Sequence, residues 1–177
     1  MEAEAQSLYK VDYPALDHAF SRYLTHPGTT AAAEILRLLP SGHADTRVPD
    51  GGVTDKIYNQ LEKLDVLASQ GRTDAIDVAF ALFAISDGAF AEDLSTLIAK
   101  AIEVNPRAFL RGLKNNPDYT CEIACDTGVD EDDDSKAALA KLKRRLQLVT
   151  SVKDAALTNE RECTVAALRE CIEGASK

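Results

Sequence analysis

Aromatic and basic residues are both scarce in this chain of 177 residues. It has no Trp and a single Met, and aromatic residues make up 6% of the total. The core must therefore be built mostly from Ala, Leu, Ile and Val. The 20 Lys and Arg are outnumbered by 29 Asp and Glu, which gives a formal net charge of -9. Nucleic acid is not expected as a partner, because binding to phosphates requires a basic surface.

Long apolar runs are absent as well. The longest candidate, Val78 to Ile85, is far shorter than the roughly 18 to 20 residues that a membrane span needs. The first residues have neither the basic nor the apolar region of a signal peptide, so a secreted form would have had its signal removed. We expect residues 1–12 to form a mobile or weakly packed N-terminal segment.

The motifs of common enzymes and metal sites are missing. The chain has no P-loop, no dinucleotide-binding glycine pattern, no HExxH and no G-x-S-x-G. Ser41, His43 and Asp45 share one loop, but such close neighbours seldom reach the geometry of a catalytic triad. The loop is interpreted as a polar surface loop. His18 and His26 add no metal-binding spacing, so we predict no catalytic, cofactor or metal residues.

Helical periodicity is what the sequence does contain. Apolar residues recur at three- and four-residue steps, and no period-two alternation persists, so we predict an all-α protein. Short connections indicate antiparallel helical hairpins, about nine helices in one domain spanning residues 1–177, with an acidic loop at 126–134. The stripe from Val53 to Leu67 predicts one helix, and Thr73 to Ile85 predicts the central buried helix.

Polar residues mark several predicted helix starts. Asn105-Pro106 and Asn116-Pro117 each predict the end of one helix and the start of another, because Asn is a good N-cap and Pro fits the first helical position. On this basis residues 117–125 form a helix that carries two cysteines. Asn159 with Glu162 predicts the capping pattern of the last helix.

Residues 73–113 follow the order helix, Asp-Gly turn, helix, Asn-Pro turn, helix. This stretch resembles the helix-pair units of HEAT or armadillo-like helical-repeat proteins. The resemblance implies an α-solenoid-like bundle. Helical pairs of this kind form grooved surfaces that usually bind proteins or peptides.

The four cysteines, Cys121, Cys125, Cys163 and Cys171, all lie in the last third of the chain. Neither close pair can easily form a disulfide within its own helix, because the bond needs Cβ atoms about 3.8 Å apart. We therefore predict two disulfides between two segments, with three connectivities open. Disulfides would place the protein outside the cytosol. The alternatives are reduced thiols in the core and a zinc site.

Two charged stretches adjoin in the last third. The acid run Asp130–Asp134 fails the EF-hand pattern and is interpreted as electrostatic support for the start of the following helix. The basic residues after it are interpreted as a solvated helix face that compensates this charge. They are Lys136, Lys141, Lys143, Arg144 and Arg145.

Together these features favour a non-enzymatic, acidic helical module that binds a protein or peptide partner, including basic ones. It would be disulfide-stabilised and periplasmic or secreted, for example an inhibitor or immunity-type protein. One alternative is a cytoplasmic regulatory module with reduced or zinc-binding cysteines. Another is an enzyme whose site is assembled from distant carboxylates such as Asp74, Asp77 and Glu92.

Overall fold

The computed structural model describes residues 10–40, 50–128 and 135–175, and in these ranges the fold is all-α as predicted. Nine α-helices and three short 3-10 helices account for the regular structure of the described residues. The 3-10 helices are Phe83–Ile85, Cys121–Cys125 and Ala155–Leu157. The α-helices are Tyr13–Thr25 (α1), Thr29–Leu38 (α2), Val53–Tyr58 (α3), Leu61–Ser69 (α4), Thr73–Leu82 (α5), Gly88–Val104 (α6), Pro106–Asn115 (α7), Ser135–Ser151 (α8) and Thr158–Gly174 (α9).

Asn105 begins α7 as its sequence position predicts. Its side-chain oxygen accepts a hydrogen bond from the backbone N–H of Ala108 at 3.1 Å, and Pro106 takes the first helical position. The same side chain donates to the backbone oxygen of Gly71 at 2.9 Å. Gly71 has φ of +74°, the left-handed conformation expected after a helix end. One Asn therefore caps α7 and fixes the turn between α4 and α5.

The stripe from Val53 to Leu67 was wrongly predicted as a single helix. The structure ends α3 at Tyr58 and begins α4 at Leu61, with Asn59 and Gln60 in a turn. Ile57 and Leu61 are nevertheless both buried. Because the four-residue spacing continues across the turn, periodicity alone does not reveal the break.

Two predicted helix starts are also corrected. Residues after Asn116-Pro117 form a turn and then the 3-10 helix Cys121–Cys125, so no α-helix begins there. The last helix begins at Thr158, which places Asn159 inside it and removes the expected cap. Asp154 instead accepts a backbone hydrogen bond from Ala156, at the start of the 3-10 helix Ala155–Leu157. In both cases the local polar pattern indicated a boundary near a helix end, but not which element follows it.

Helix α5 is the central helix, in agreement with its nearly uniform apolar sequence. Seven of its ten residues are buried. It contacts α2, α4, α6 and α7. The closest approach to α7 is at Gly112, where a Cβ atom would lie 2.1 Å from the ring of Phe80. Glycine at this position lets the two helices pack face to face.

We expect Gly112→Ala to lower the free energy of unfolding by about 2 kcal/mol, because the added methyl group overlaps the Phe80 ring. Urea denaturation of the oxidised protein measures this loss. Gly174→Ala is the matched control, since nothing lies within 4 Å of a Cβ at that helical position. Equal stabilities of the two variants would contradict the proposed close packing.

A polar network joins α1 to the start of α5 inside the core. The hydroxyl of Tyr23 donates to Asp74 at 3.2 Å, and Arg72 donates to the same carboxylate oxygen at 2.8 Å. Tyr23 is fully buried. Burial, followed by the charge of Asp74, raises the pKa of Tyr23 well above its usual value. Burial likewise raises the pKa of Tyr119, whose hydroxyl donates to the backbone oxygen of Phe80.

These two phenols predict alkaline destabilisation. A folded-state pKa above the unfolded value gives stability that is complete below pH about 10 and is lost as pH rises further. We expect the free energy of unfolding to fall above pH about 10, and both phenols to ionise only on unfolding. Phenolate absorbance followed after a rapid pH jump measures this, and Tyr23→Phe should flatten the fall. Full phenolate absorbance in the folded protein would contradict it.

Within the described ranges, no helix is both long enough and apolar enough to cross a bilayer. Several predictions lie outside these ranges: residues 1–9 of the predicted N-terminal segment 1–12, the loop with Ser41, His43 and Asp45, and the acid run Asp130–Asp134. At the end of that segment Val11 is buried in the core, and the Asp12 side chain accepts from the backbone N–H of Ala15.

Candidate functional site

Two disulfides join the 3-10 helix Cys121–Cys125 to α9. Cys121 is bonded to Cys163 and Cys125 to Cys171, with Cα–Cα distances of 5.9 and 6.3 Å. The prediction of two cross-links between two segments is confirmed, and the structure selects one of the three connectivities. All four cysteines of the chain are used. A zinc site built from these four cysteines would need free thiolates, and this pairing leaves none of them free.

Helix α8 holds the segment that follows this 3-10 helix. Arg145 donates from Nη1 to the backbone oxygens of Ala124 at 3.0 Å and Asp126 at 2.5 Å. Lys141 donates to the backbone oxygen of Thr127 at 3.1 Å. Residues 124–128 are thus fixed by two cations from α8 and, through Cys125, by a disulfide to α9.

Arg145 corrects the interpretation of the basic cluster as a solvated face. Its side chain is 1% exposed, whereas Lys143 and Arg144 are exposed. Arg145 lies one turn after Lys141 and three residues after the buried Leu142, so it faces the core side of α8. Its charge is compensated by the two carbonyl oxygens and by Glu103 at 3.4 Å.

The fixed segment forms one wall of a surface groove along α6, which we call the acidic groove. It consists of three hollows. One of about 440 Å³ lies beside α4, and one of about 450 Å³ lies beside residues 126–128. The third, of about 320 Å³, lies beside the 3-10 helices Phe83–Ile85 and Cys121–Cys125. The first two share Asp93 and Thr96, and the last two share Ser95 and Asp126. Neighbouring hollows therefore adjoin one another at these shared residues.

Negative charge dominates this groove. Among the described residues that line it, Lys100 is the only cation, and it pairs with Asp65 at 3.4 Å. The carboxylates of the lining are Glu62, Asp65, Glu92, Asp93, Asp118 and Asp126. In the part of the chain that the structure describes, no three His, Cys, Asp or Glu residues come together as a metal-binding group. The carboxylates are spread along the groove instead.

Hydrogen bonds orient two of these carboxylates. Asp126 accepts from the Thr96 hydroxyl at 3.1 Å and from the Gly128 backbone N–H at 2.9 Å. Asp93 accepts from the Tyr58 hydroxyl at 2.9 Å, and this hydrogen bond raises the pKa of Tyr58. Neutral donors thus hold both side chains in place, and Asp126 also interacts electrostatically with Arg145.

Apolar side chains lie at both ends of the acidic groove. Tyr58, Leu61 and Leu97 line the hollow beside α4. Phe83, Tyr119 and Ile123 line the opposite hollow, and the rings of Phe83 and Tyr119 have centroids 4.6 Å apart. The arrangement can accept a basic segment in the middle and apolar side chains at the ends.

The three carboxylates considered for an enzyme site lie in different surroundings. Asp74 is buried and bonded to Tyr23 and Arg72. Asp77 accepts from Arg111 of α7 at 2.7 Å. Glu92 is exposed in the acidic groove. Asp74 and Asp77 thus each contact an arginine, whereas Glu92 lies in the acidic groove.

Sequence reasoning did not identify the acidic groove. Its acids come from α4, from α6 and from the chain on either side of the 3-10 helix Cys121–Cys125, and their alignment depends on how these parts pack. The sequence offered one usable signal, the excess of acids over bases in the chain as a whole.

No protein-family model, curated protein or solved structure matches this chain.

Proposed function

We propose that this chain is a non-enzymatic, disulfide-stabilised protein that acts outside the cytosol by binding a basic protein or peptide in the acidic groove. The observation that carries the proposal is the groove lining, in which six carboxylates face a single Lys. An inhibitor or immunity-type protein that neutralises a secreted enzyme is one role of this kind.

The cysteine pairing supports the location outside the cytosol. Disulfides persist in the periplasm and in secreted proteins, whereas cytosolic thiols are kept reduced. Both bonds tie the 3-10 helix Cys121–Cys125 to α9, which identifies them as structural bonds. The same bonds hold the wall that carries Asp126, so an oxidising compartment also favours an ordered groove.

Electrostatics supports a basic partner. The net charge of -9 attracts cations over a distance of about a Debye length, and the groove concentrates that charge along one face. Complementary charge of this kind raises association rates and selects among partners. The apolar side chains at the two ends would then supply contact area that is independent of salt.

A matched pair of charge reversals tests the groove. The groove variant carries Glu62→Lys and Glu92→Lys, and the control variant carries Glu162→Lys and Glu170→Lys on α9. All four side chains are exposed, and each pair changes the net charge equally. The oxidised protein is used to isolate a partner from secreted and periplasmic fractions, and the purified partner is then titrated against each variant.

We expect the groove variant to bind the partner at least about tenfold more weakly, and the control variant to stay within about twofold. Equal losses in both variants would show that net charge alone attracts the partner, and would contradict a groove-specific function. A partner that binds with no dependence on salt would contradict it as well.

A further inference from the structure

A further hollow, outside the acidic groove, is lined by charged side chains that are mainly positive. It has a volume of about 550 Å³ and lies between α7 and the 3-10 helix Ala155–Leu157. Three cations line it, Arg107, Arg111 and Lys114. We call it the cationic cleft. In a chain with a net charge of -9, this is a local excess of positive charge.

The spacing of the three cations places them together. They occupy positions four and three residues apart on α7, so they share one face of the helix. The opposite face carries Phe109 and Leu113, which are buried. The amphipathic pattern of α7 therefore places the three cations on one face of the helix. Packing of the opposite face on the core turns this cationic face outward.

Two carboxylates hold these cations without neutralising all three. Arg107 donates from Nε and Nη2 to one oxygen of Asp154, at 3.0 and 2.7 Å. Arg111 donates from Nη2 to both oxygens of Asp77, and Lys114 donates to the backbone oxygen of Ala156 at 2.7 Å. A guanidinium has five N–H groups and an ammonium has three. Donors therefore remain on each cation after these bonds are made.

The remaining lining is partly apolar and partly polar. Ala108 and Leu157 line the cleft with little exposed surface, 3% and 5%, while the hydroxyl of Thr73 and the side chain of Asn105 lie in the same lining. A volume of this size is within the range of small-molecule sites, which combine apolar walls with a few placed polar groups.

We propose that the cationic cleft binds a small organic anion, with its phosphate or carboxylate group on Arg111 and Lys114. Asp77 and Asp154 act as positioning residues, because they fix the arginine side chains before the ligand arrives. The backbone N–H of Ala156 and the Arg107 guanidinium lower the pKa of Asp154, so its carboxylate keeps this role under mildly acidic conditions. This site is separate from the acidic groove and does not depend on the proposed partner.

Amide chemical-shift titrations of the oxidised full chain test the cleft. The probes are phenyl phosphate, benzoate and inorganic phosphate, each against sodium chloride at equal ionic strength. The variants are Lys114→Gln and Arg111→Gln, with Arg144→Gln on the exposed face of α8 as the matched control. Lys114 forms no salt bridge among the described residues, although it interacts electrostatically with Asp154. Its variant therefore keeps the test valid if loss of the Arg111–Asp77 pair disturbs the fold.

We expect saturable shifts with one-to-one stoichiometry in the cleft for phenyl phosphate, benzoate or both. Each cleft variant should weaken this binding about tenfold, as expected for loss of one charge-assisted hydrogen bond, and Arg144→Gln should not. Binding of both phenyl phosphate and benzoate would assign the site to the anionic group, and binding of one alone would select phosphate or carboxylate.

Two results would overturn the proposal. Shifts that do not saturate, or that are equal in the cleft and control variants, would mean that the anions only screen surface charge. Shifts produced by a polyglutamate peptide but by none of the small anions would assign the cleft to an acidic protein segment instead.

Discussion

Removing both disulfides should lower the free energy of unfolding by more than the sum of the two separate removals. We expect the pair Cys121→Ser with Cys163→Ser, and the pair Cys125→Ser with Cys171→Ser, each to lower the free energy of unfolding by about 3 kcal/mol. The quadruple variant should lose about 7 kcal/mol. That is half or more of the stability of an ordinary domain, so the quadruple variant should be close to unfolding.

The reason is that the two bonds close overlapping loops. Alone, either bond closes a loop with a sequence separation of 42 or 46 residues, which stabilises by about 4 kcal/mol in the chain-entropy model. With the other bond in place, the second closes a ring of only about a dozen residues, worth about 3 kcal/mol. Removing one bond while the other remains therefore costs only the smaller of these two stabilisation energies.

Helix α9 should respond first. Of its 17 residues, only Thr164, Ala167 and Leu168 are buried, so little apolar area holds it against the rest of the protein. We expect hydrogen exchange in residues 158–174 to accelerate in the quadruple variant before exchange in α5 does.

Urea denaturation of the four proteins measures the coupling, and reduced wild-type protein should match the quadruple variant. Single removals that each cost nothing would show that the native fold holds these segments together without covalent help. Strictly additive losses would contradict the overlapping-loop explanation.

The fold class could be predicted from the sequence because helical periodicity is a local property. The predicted number of helices, about nine, agrees with the number in the described residues, but two members differ. The stripe from Val53 to Leu67 forms two helices, and the predicted helix at 117–125 is a turn followed by a 3-10 helix. Periodicity could not detect the first difference, because the spacing of buried residues continues across the turn. The Asn116-Pro117 pattern marked a helix boundary without specifying the element that follows it. The resemblance of residues 73–113 to helical repeats stays a prediction.

The candidate sites could be predicted only where one element contains the signal. The spacing of Arg107, Arg111 and Lys114 is visible on a single helix, although its meaning depends on the neighbouring 3-10 helix Ala155–Leu157. The acidic groove is different, because Glu62 and Asp93 come from different helices and only packing brings them into one lining. The excess of acids over bases favoured a basic partner as a hypothesis and gave no location for a binding site.

A single substitution at Arg145 should also have a large effect on stability. We expect Arg145→Met to lower the free energy of unfolding by about 3 kcal/mol, because it leaves the backbone oxygens of Ala124 and Asp126 buried or half-buried without their donor. Met replaces the stem of Arg as far as Nε and forms none of these hydrogen bonds. Arg144→Met, on the exposed face, should stay within about 0.5 kcal/mol.

The comparison with Glu103→Gln decides which interaction of Arg145 matters. The contact between Arg145 and Glu103 is long, 3.4 Å, and Glu103 is 24% exposed, so water can replace the lost partner. The carbonyl oxygens are closer to Arg145 and have less access to water. We therefore expect Glu103→Gln to cost less than about 1 kcal/mol, well below Arg145→Met. If the two substitutions cost the same in urea denaturation, the ion pair rather than the carbonyl contacts holds residues 124–128, and the explanation of the groove wall given above is wrong.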